Sequence, residues 1–156
     1  MTKSLHDLYI DLEKYKDFDK DNNSEKFLDT LGQIVALSEP SSIEVLIKYF
    51  DDDSDYSWVI EILQNNILFL FKNTGSSVFI KNLTNFIKKS PEWCTDTVTI
   101  LFNDDSYLNL FRQNMHLAPK ESLLKLFDLM QKESPHHREL IKELRSELEK
   151  QETKQH

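Results

Sequence analysis

The chain has 156 residues, and its 27 acidic side chains outnumber the 19 basic ones, which gives a net charge of −8 at pH 7. Phosphate groups would repel so acidic a chain, so we expect no nucleic-acid binding and favour a basic partner. Glycine occurs twice and proline four times. Both are too rare for the many tight turns of a strand-rich fold, so helices with short connections are expected.

Cysteine content and hydropathy bear on the compartment. Cys94 is the one cysteine, which excludes an intramolecular disulfide framework and suits a reducing environment. The N-terminal stretch MTKSLHDLYIDLEKY alternates charged and apolar residues and lacks the apolar run of a signal peptide. The longest apolar run, Ile67 to Phe71, is far shorter than the ~20 residues that span a bilayer. We therefore expect a cytoplasmic protein without membrane contact.

Four amphipathic helices are predicted before residue 75. The first follows the apolar stripe from Leu5 to Tyr15, and Ser24 is expected to cap the second. Pro40 suits the first turn of the third helix. The fourth, Tyr56 to Phe71, is apolar on more than one side, so we expect it to be buried between neighbours. Gly75 should end this helix in the left-handed conformation.

Further helices are predicted beyond residue 75 from apolar stripes and helix-start signals. Ser90 should start one of them, with Pro91 in its first turn. Asn103 should end that helix in the left-handed conformation, and Asp104 or Asp105 should cap the next one. The predicted helices of this part begin near Ser76, Ser90, Asp104, Ala118 and Ser134.

Similar segments recur along the chain. Trp58 and Trp93 are separated by the same number of residues as the helix starts at Ser41 and Ser76, a spacing that stacked helical hairpins produce. Chance similarity between amphipathic helices is the competing explanation. We predict an all-α fold of about nine helices, an irregular stack of antiparallel hairpins (HEAT-like α-solenoid), in preference to a closed bundle.

Within this stack both tryptophans are expected to be core wedges between hairpins, because each stands near a helix start beside long aliphatic stripes. Residues 1–150 are predicted to form a single helical domain. The tail at 151–156 is expected to fray.

The segment DFDKDNNSEKFLD resembles a calcium-binding loop in part. Asp17, Asp19 and Asp21 occupy the first three ligand positions of such a loop. Asn22 and Leu28 stand where the geometry requires glycine and a bidentate glutamate. A polar connection between helices is therefore the better interpretation, and no metal is expected.

Catalytic residues are not predicted either. His136 and His137 are adjacent, so on a helix they point apart and cannot share one ion. Cys94 has no basic residue within one helical turn that would activate its thiol, so a buried thiol is expected. With only two glycines the chain has no phosphate-binding loop. We expect neither a cofactor nor an enzyme.

Acidic residues concentrate on the predicted turns, where grouped carboxylates would steer a basic partner and raise its association rate. Those of DDDSD, residues 51–55, should also lie at the start of the fourth helix, where the helix dipole favours them. Some of the carboxylates should only cap helices, and a solvated acidic rim that keeps the protein soluble is the competing explanation. In a regular stack the turns at residues 51–55 and 104–105 would form one continuous acidic strip. The predicted partner-binding residues are Asp51, Asp52, Asp53, Asp55, Asp104 and Asp105.

The stretch SPEWCTDTVTILFNDDSYLNLF, residues 90–111, resembles a segment of small helical immunity proteins from bacterial polymorphic-toxin and contact-dependent growth inhibition systems. In those proteins a helix opens with Ser-Pro and an early Trp, ends in an Ile-Leu-Asn-type corner, and is followed by an acidic residue and an aromatic. Phe102 departs from this pattern by separating Leu101 from Asn103. The similarity is best over residues 76–132 and faint before residue 40. The matching positions are Ser90, Pro91, Trp93, Ile100, Leu101, Asn103, Asp104 and Tyr107.

The resemblance implies a HEAT-like helical fold and a non-enzymatic role, in which the protein binds a cognate toxin domain in the cytoplasm and blocks it. The toxin would be basic, with a nuclease as one candidate, and an acidic inhibitor would cover its phosphate-binding surface. Two alternatives stay open. One is a helical-repeat adaptor or regulatory scaffold that binds a host protein or peptide, and the other is a metal-dependent hydrolase built on clustered carboxylates.

Overall fold

A computed structural model describes residues 3–133 and 135–154 of the chain. Within these ranges all regular elements are helical and no strand occurs, so the predicted all-α class is confirmed. The chain divides into two compact units, Met1–Phe79 and Ile80–His156. The single domain expected over residues 1–150 stays a prediction. No described helix combines the length and the apolar content that are needed to cross a membrane.

The prediction of about nine helices is confirmed over the described residues, where the fifth predicted stripe is divided at Asn82 into two short helices. A π-helical turn at Phe71–Gly75 joins the fourth helix to the fifth, and 3₁₀ turns occur at Met115–Leu117 and Pro135–His137. The helices are α1 (Leu5–Lys14), α2 (Asn23–Ala36), α3 (Ser42–Ile47), α4 (Ser57–Leu70), α5 (Ser76–Lys81), α6 (Leu83–Lys89), α7 (Pro91–Phe102), α8 (Asp105–Asn114), α9 (Lys120–Glu133) and α10 (Arg138–Lys154). Residues 155–156 of the predicted tail lie outside the described residues.

In the first unit α4 packs against both α2 and α3, and α1 packs against α2. The Phe27 ring of α2 contacts Phe18 and Tyr49 edge to face, with centroids 5.0 and 5.5 Å apart. Burial of each large apolar side chain contributes about 1.5–3 kcal/mol, so this core holds the helices together. The buried side of α4 consists of Val59, Ile60, Leu63, Gln64, Ile67, Leu68 and Leu70.

Two tyrosine hydroxyls connect α1 to the region of α3. The Tyr9 hydroxyl lies 2.7 Å from Ser42 Oγ, and the Tyr49 hydroxyl donates to Glu13 Oε2 at 2.7 Å. Burial and the Glu13 carboxylate raise the pKa of Tyr49 above its ordinary value. Tyr49 therefore remains a neutral donor over the physiological pH range.

In the second unit α7 packs against α6, α8 and α9, and α9 also packs against α6 and α10. The rings of Phe102 and Phe111 meet edge to face at 5.1 Å across the α7–α8 corner. Arg112 of α8 pairs with Glu143 at 3.1 Å and with Glu147 at 3.6 Å, both on α10. These ion pairs connect α8 to the last helix of the described chain.

The helix starts agree with the sequence in part. Pro91 occupies the first turn of α7 and Asp104 caps α8, as predicted. Ser24 does not cap α2, because the helix begins at Asn23 and its N-cap is Asn22, with a φ of 56°. Asn103 is right-handed, with φ −83° and ψ −7°, so the predicted left-handed stop is wrong there.

The two tryptophans differ from the core wedges that the sequence predicts. Trp58 is 49% exposed, because it points away from the side of α4 that packs on α2 and α3. The prediction is therefore wrong for Trp58, and α4 is not buried on all sides. Trp93 is half-buried on α7.

Gly75 is a buried residue of the π-helical turn, and no glycine has a positive φ among the described residues. The predicted left-handed stop is therefore wrong, and the chain continues directly into α5. The glycine is required by space, since a Cβ at this position would lie 2.2 Å from Ile43 Cδ1 and 3.2 Å from the Leu70 carbonyl oxygen.

We expect Gly75→Ala to lower the free energy of unfolding by about 1–3 kcal/mol, the usual cost of forcing an extra methyl group into a packed core. The matched control is Gly32→Ala in α2, where an added Cβ meets no atom within 4 Å. Alanine there should raise the free energy of unfolding by about 0.5–1 kcal/mol, because glycine is a poor helix former. Urea denaturation followed by circular dichroism measures both changes.

A second variant tests the cause. Ile43→Val removes the Cδ1 atom that the new methyl group would meet, so in the Gly75→Ala background it should cost less than in the parent. Equal costs in the two backgrounds would show that the contact with Ile43 is not the reason for glycine at this position.

Candidate protein-binding surface

The acidic segment at residues 51–55 forms the loop between α3 and α4. Asp51 Oδ1 accepts a hydrogen bond from the Asp53 backbone N–H at 2.9 Å, and Ser54 Oγ accepts one from the Tyr56 N–H at 3.1 Å. Since α4 begins at Ser57 and has no acidic residue in its first turn, the prediction that these carboxylates sit at the helix start is wrong. They are loop residues, of which Asp51, Asp53 and Asp55 are exposed and Asp52 is half-buried.

A second acidic loop, between α1 and α2, meets this one in the first unit. The Tyr56 hydroxyl donates to Asp19 Oδ1 at 2.8 Å, and the Phe18 ring lies edge to face on the Tyr56 ring at 5.6 Å. The hydrogen bond to Asp19, with the negative charges of Asp19, Asp55 and Asp17 around it, raises the pKa of Tyr56 above its ordinary value. Asp19 of one acidic loop is therefore hydrogen-bonded to Tyr56 at the end of the other.

We call Asp17, Asp19, Asp51, Asp52, Asp53 and Asp55 the acidic cluster. Asp17 lies 3.5 Å from the Lys20 ammonium group, an exposed pair that contributes little stability. Sequence reasoning tested Asp17 and Asp19 as calcium ligands and counted them among the grouped carboxylates, but missed that Asp19 accepts a hydrogen bond from Tyr56 at the end of the second acidic loop. Among the described residues, no group of three or more His, Cys, Asp or Glu side chains could hold a metal ion.

An exposed apolar stripe begins directly beyond the acidic cluster, on α4. Its members are Trp58, Ile62 and Phe69, which are 49%, 37% and 50% exposed. Spacings of four and seven residues place all three on one face of an α-helix. We call these three residues the α4 stripe. Sequence reasoning missed it because a helix that is apolar on more than one side was expected to be buried between neighbours.

The remaining predicted site residues lie in the second unit, at the corner between α7 and α8. Asp104 Oδ1 accepts hydrogen bonds from the backbone N–H groups of Ser106 at 2.9 Å and Tyr107 at 3.4 Å. Asp104 is therefore a helix cap, as expected for some of the six carboxylates. Asp105 is exposed in the first turn of α8. The continuous acidic strip that would unite this corner with residues 51–55 stays a prediction.

A groove of about 250 Å³ lies between α6 and α9 in the second unit. Thr84 Oγ1 and Ser122 Oγ face each other there at 2.6 Å, and Lys88, Glu121 and Lys125 also line it. Its volume is below the ~300 Å³ at which small-molecule pockets begin. The groove is therefore small for a substrate, and its lining carries charges of both signs.

Cysteine and histidine are common catalytic residues, and here Cys94 and His137 pack against other side chains. Cys94 is fully buried in α7, so the predicted buried thiol is confirmed. The imidazole of His137 meets the Phe102 ring edge to face at 6.0 Å. Burial, together with the positive charge of His136, lowers the pKa of His137 from its ordinary value. The folded state therefore favours the neutral form of His137 over the charged one.

A large part of the chain matches a known protein family. The sequence profile of Immunity protein 30 matches residues 14–111, more than half of the chain. The chain belongs to the Immunity protein 30 family. The match runs from the last residue of α1 into α8, so it starts earlier and ends earlier than the resemblance over residues 76–132. No curated protein and no solved structure matches the chain.

Membership of the Immunity protein 30 family gives the chain a toxin-neutralising role and a cognate toxin as its partner. Immunity proteins of this kind are normally not enzymes. Both the acidic cluster and the α4 stripe lie within the matched residues. The acidic cluster and the α4 stripe are therefore both candidate surfaces for binding the toxin.

The packing of His137 makes the stability of this immunity protein depend on pH. Because its folded-state pKa is lowered, the unfolded chain binds the proton first as pH falls through about 6.5. The free energy of unfolding should therefore decrease from pH 7.5 to the pKa of the folded state. Denaturant titrations at several pH values measure this dependence, and His137→Gln should reduce its slope. An identical slope in the variant would mean that other groups cause the pH dependence.

Proposed function

We propose that this protein neutralises its cognate toxin in the cytoplasm by binding it through an acidic surface, without catalysis. The observation that carries the proposal is the meeting of two acidic loops around Tyr56 within the family-matched residues. Helix capping does not account for the exposed carboxylates of Asp51, Asp53 and Asp55, since α4 begins beyond them.

The partner that suits this surface is a basic toxin domain. A nuclease is the candidate that chemistry favours, because an enzyme that holds phosphate backbones must present positive charge around its active site. Carboxylates that occupy the same surface would exclude the substrate by competition. We place the pair in a polymorphic-toxin or contact-dependent growth inhibition system, where the producing cell must block its own toxin.

Electrostatic attraction gives such an inhibitor speed. Opposite surface charges increase the rate of encounter and orient the partners before they touch. The net charge of −8 on the whole chain adds to the field of the acidic cluster. Asp105, exposed at the start of α8, would contribute to the same field from the second unit. A HEAT-like stacking of hairpins would provide the extended surface for this contact.

The test combines Asp53→Asn, Asp55→Asn and Asp105→Asn, which are three exposed carboxylates that cap no helix through their side chains. Asparagine keeps the size of each side chain and removes its charge. Stopped-flow association with the toxin domain encoded in the adjacent gene should be about tenfold slower than for the parent in low salt. The difference should shrink as the Debye length falls from about 10 Å at 0.1 M to about 3 Å at 1 M.

The matched control is Glu39→Gln, Glu133→Gln and Glu139→Gln, which removes the same charge from exposed positions elsewhere. Its association rate should change much less than that of the aspartate variant. Equal rates for both variants would reduce the cluster to a solubility feature. Failure of the parent to bind the toxin or to restore growth on co-expression would refute the immunity role of this pair and favour the adaptor alternative.

A further inference from the structure

A second surface of the first unit is explained neither by folding nor by the acidic charge. Three large apolar side chains of the α4 stripe face outward, although the opposite side of the same helix supplies the core. Isolated exposed apolar residues are ordinary on protein surfaces, whereas grouped ones mark interaction sites. Trp58 and Ile62 are neighbours one helical turn apart, and Asn65 lies between Ile62 and Phe69 on the same face. Tryptophan, the residue at position 58, is enriched among the side chains that contribute most to the binding energy of protein interfaces.

The position of the stripe relates it to the acidic cluster. Asp55 and Tyr56 end the acidic loop, and Trp58 is the second residue of α4. From there the stripe extends along the helix to Phe69, a distance of roughly 16 Å at 1.5 Å per residue. One end of the apolar surface therefore lies next to the acidic cluster.

Two asparagine amides beside the stripe have partners, whereas Glu61 and Asn65 are exposed on or beside the same helix face. The side-chain amide of Asn66 donates to the Ile62 carbonyl oxygen at 2.8 Å, and that of Asn73 donates to the Phe69 carbonyl oxygen at 2.8 Å. A partner that covers this face must therefore supply polar groups for the side chains of Glu61 and Asn65.

From these observations we propose that the α4 stripe is the apolar centre of the toxin-binding surface and that the acidic cluster forms part of its charged rim. The inference rests on the proposed function. The complementary toxin surface is an apolar depression that receives Trp58 and Phe69, bordered by Lys or Arg side chains on the side of the acidic cluster. This arrangement separates the roles of the two surfaces.

In such an interface the rim charges govern association and the buried centre governs dissociation. Three side chains cover only part of the ~800 Å² that a standard interface buries on each partner, so the acidic cluster and the exposed residues between the two surfaces complete it. A second copy of this chain is the less favoured occupant, because two molecules of charge −8 repel each other in solution.

The test compares truncations of equally exposed apolar residues. Trp58→Ala and Phe69→Ala remove stripe residues, whereas Ile10→Ala and Leu37→Ala remove side chains that are 54% and 43% exposed elsewhere in the same unit. Binding to the toxin domain encoded in the adjacent gene is measured by surface plasmon resonance. Each stripe variant should raise Kd by about 30-fold or more, mainly through faster dissociation. The control variants should change Kd by less than about threefold.

Folding is checked separately, since thermal melting should be nearly unchanged for residues half exposed to solvent. If a stripe variant does not fold, fluorine NMR of the fluorotryptophan-labelled Trp93→Phe protein reports on Trp58 directly. Addition of the unlabelled toxin domain should shift and broaden the Trp58 resonance. An unchanged resonance in a saturated complex would overturn the inference.

The outcomes distinguish this inference from the proposed function. A parent protein that binds the toxin while the stripe variants bind equally well overturns only the role of the stripe. A parent that does not bind overturns both. Light scattering of the free protein tests self-association, and a dimer that Trp58→Ala dissociates would assign the stripe to a second copy and refute the toxin contact.

Discussion

The first unit depends on the burial of one side of α4 against α2 and α3. This side contributes Leu63 and Ile67, both fully buried, and a helix that packs one side on its neighbours must turn the other side to solvent. Because α4 carries large apolar residues on both sides, the same packing that forms the core leaves Trp58 and Phe69 exposed. The outward position of the α4 stripe thus follows from the fold, whereas its apolar character does not.

The contact between Tyr56 and Asp19 then gives this helix a charged end. The phenol ring is held by Phe18, which also contacts the core residue Phe27, so the loop between α1 and α2 is fixed against the start of α4. Without this contact nothing would hold the loop that carries Asp17 and Asp19 beside the loop at residues 51–55. With it, the first acidic loop is joined to the second, which leads directly into α4, all within one compact unit. Charge gives such a surface rapid encounter, and apolar burial gives it a slow release.

Local features of the structure could be predicted from the sequence, and long-range ones could not. The all-α class, the Pro91 start of α7, the Asp104 cap and the buried Cys94 follow from residues close in the chain. The exposure of Trp58, the meeting of Asp19 with Tyr56 and the need for glycine at position 75 depend on contacts between distant residues. For Gly75, the approach of Ile43 from α3 is the closest contact that a Cβ would meet, and periodicity contains no signal for it. Of the predicted site, residues 51–55 lie in one exposed loop, whereas Asp104 is used as a cap.

The most direct test of the combined surface is hydrogen–deuterium exchange of the toxin complex. The amides of the two acidic loops, residues 15–22 and 51–56, lie mostly outside helices and should exchange rapidly in the free protein. The account predicts that saturation with the toxin slows exchange in both loops and in the first turn of α4 together. Protection confined to the groove between α6 and α9, with unchanged exchange in these loops, would contradict it.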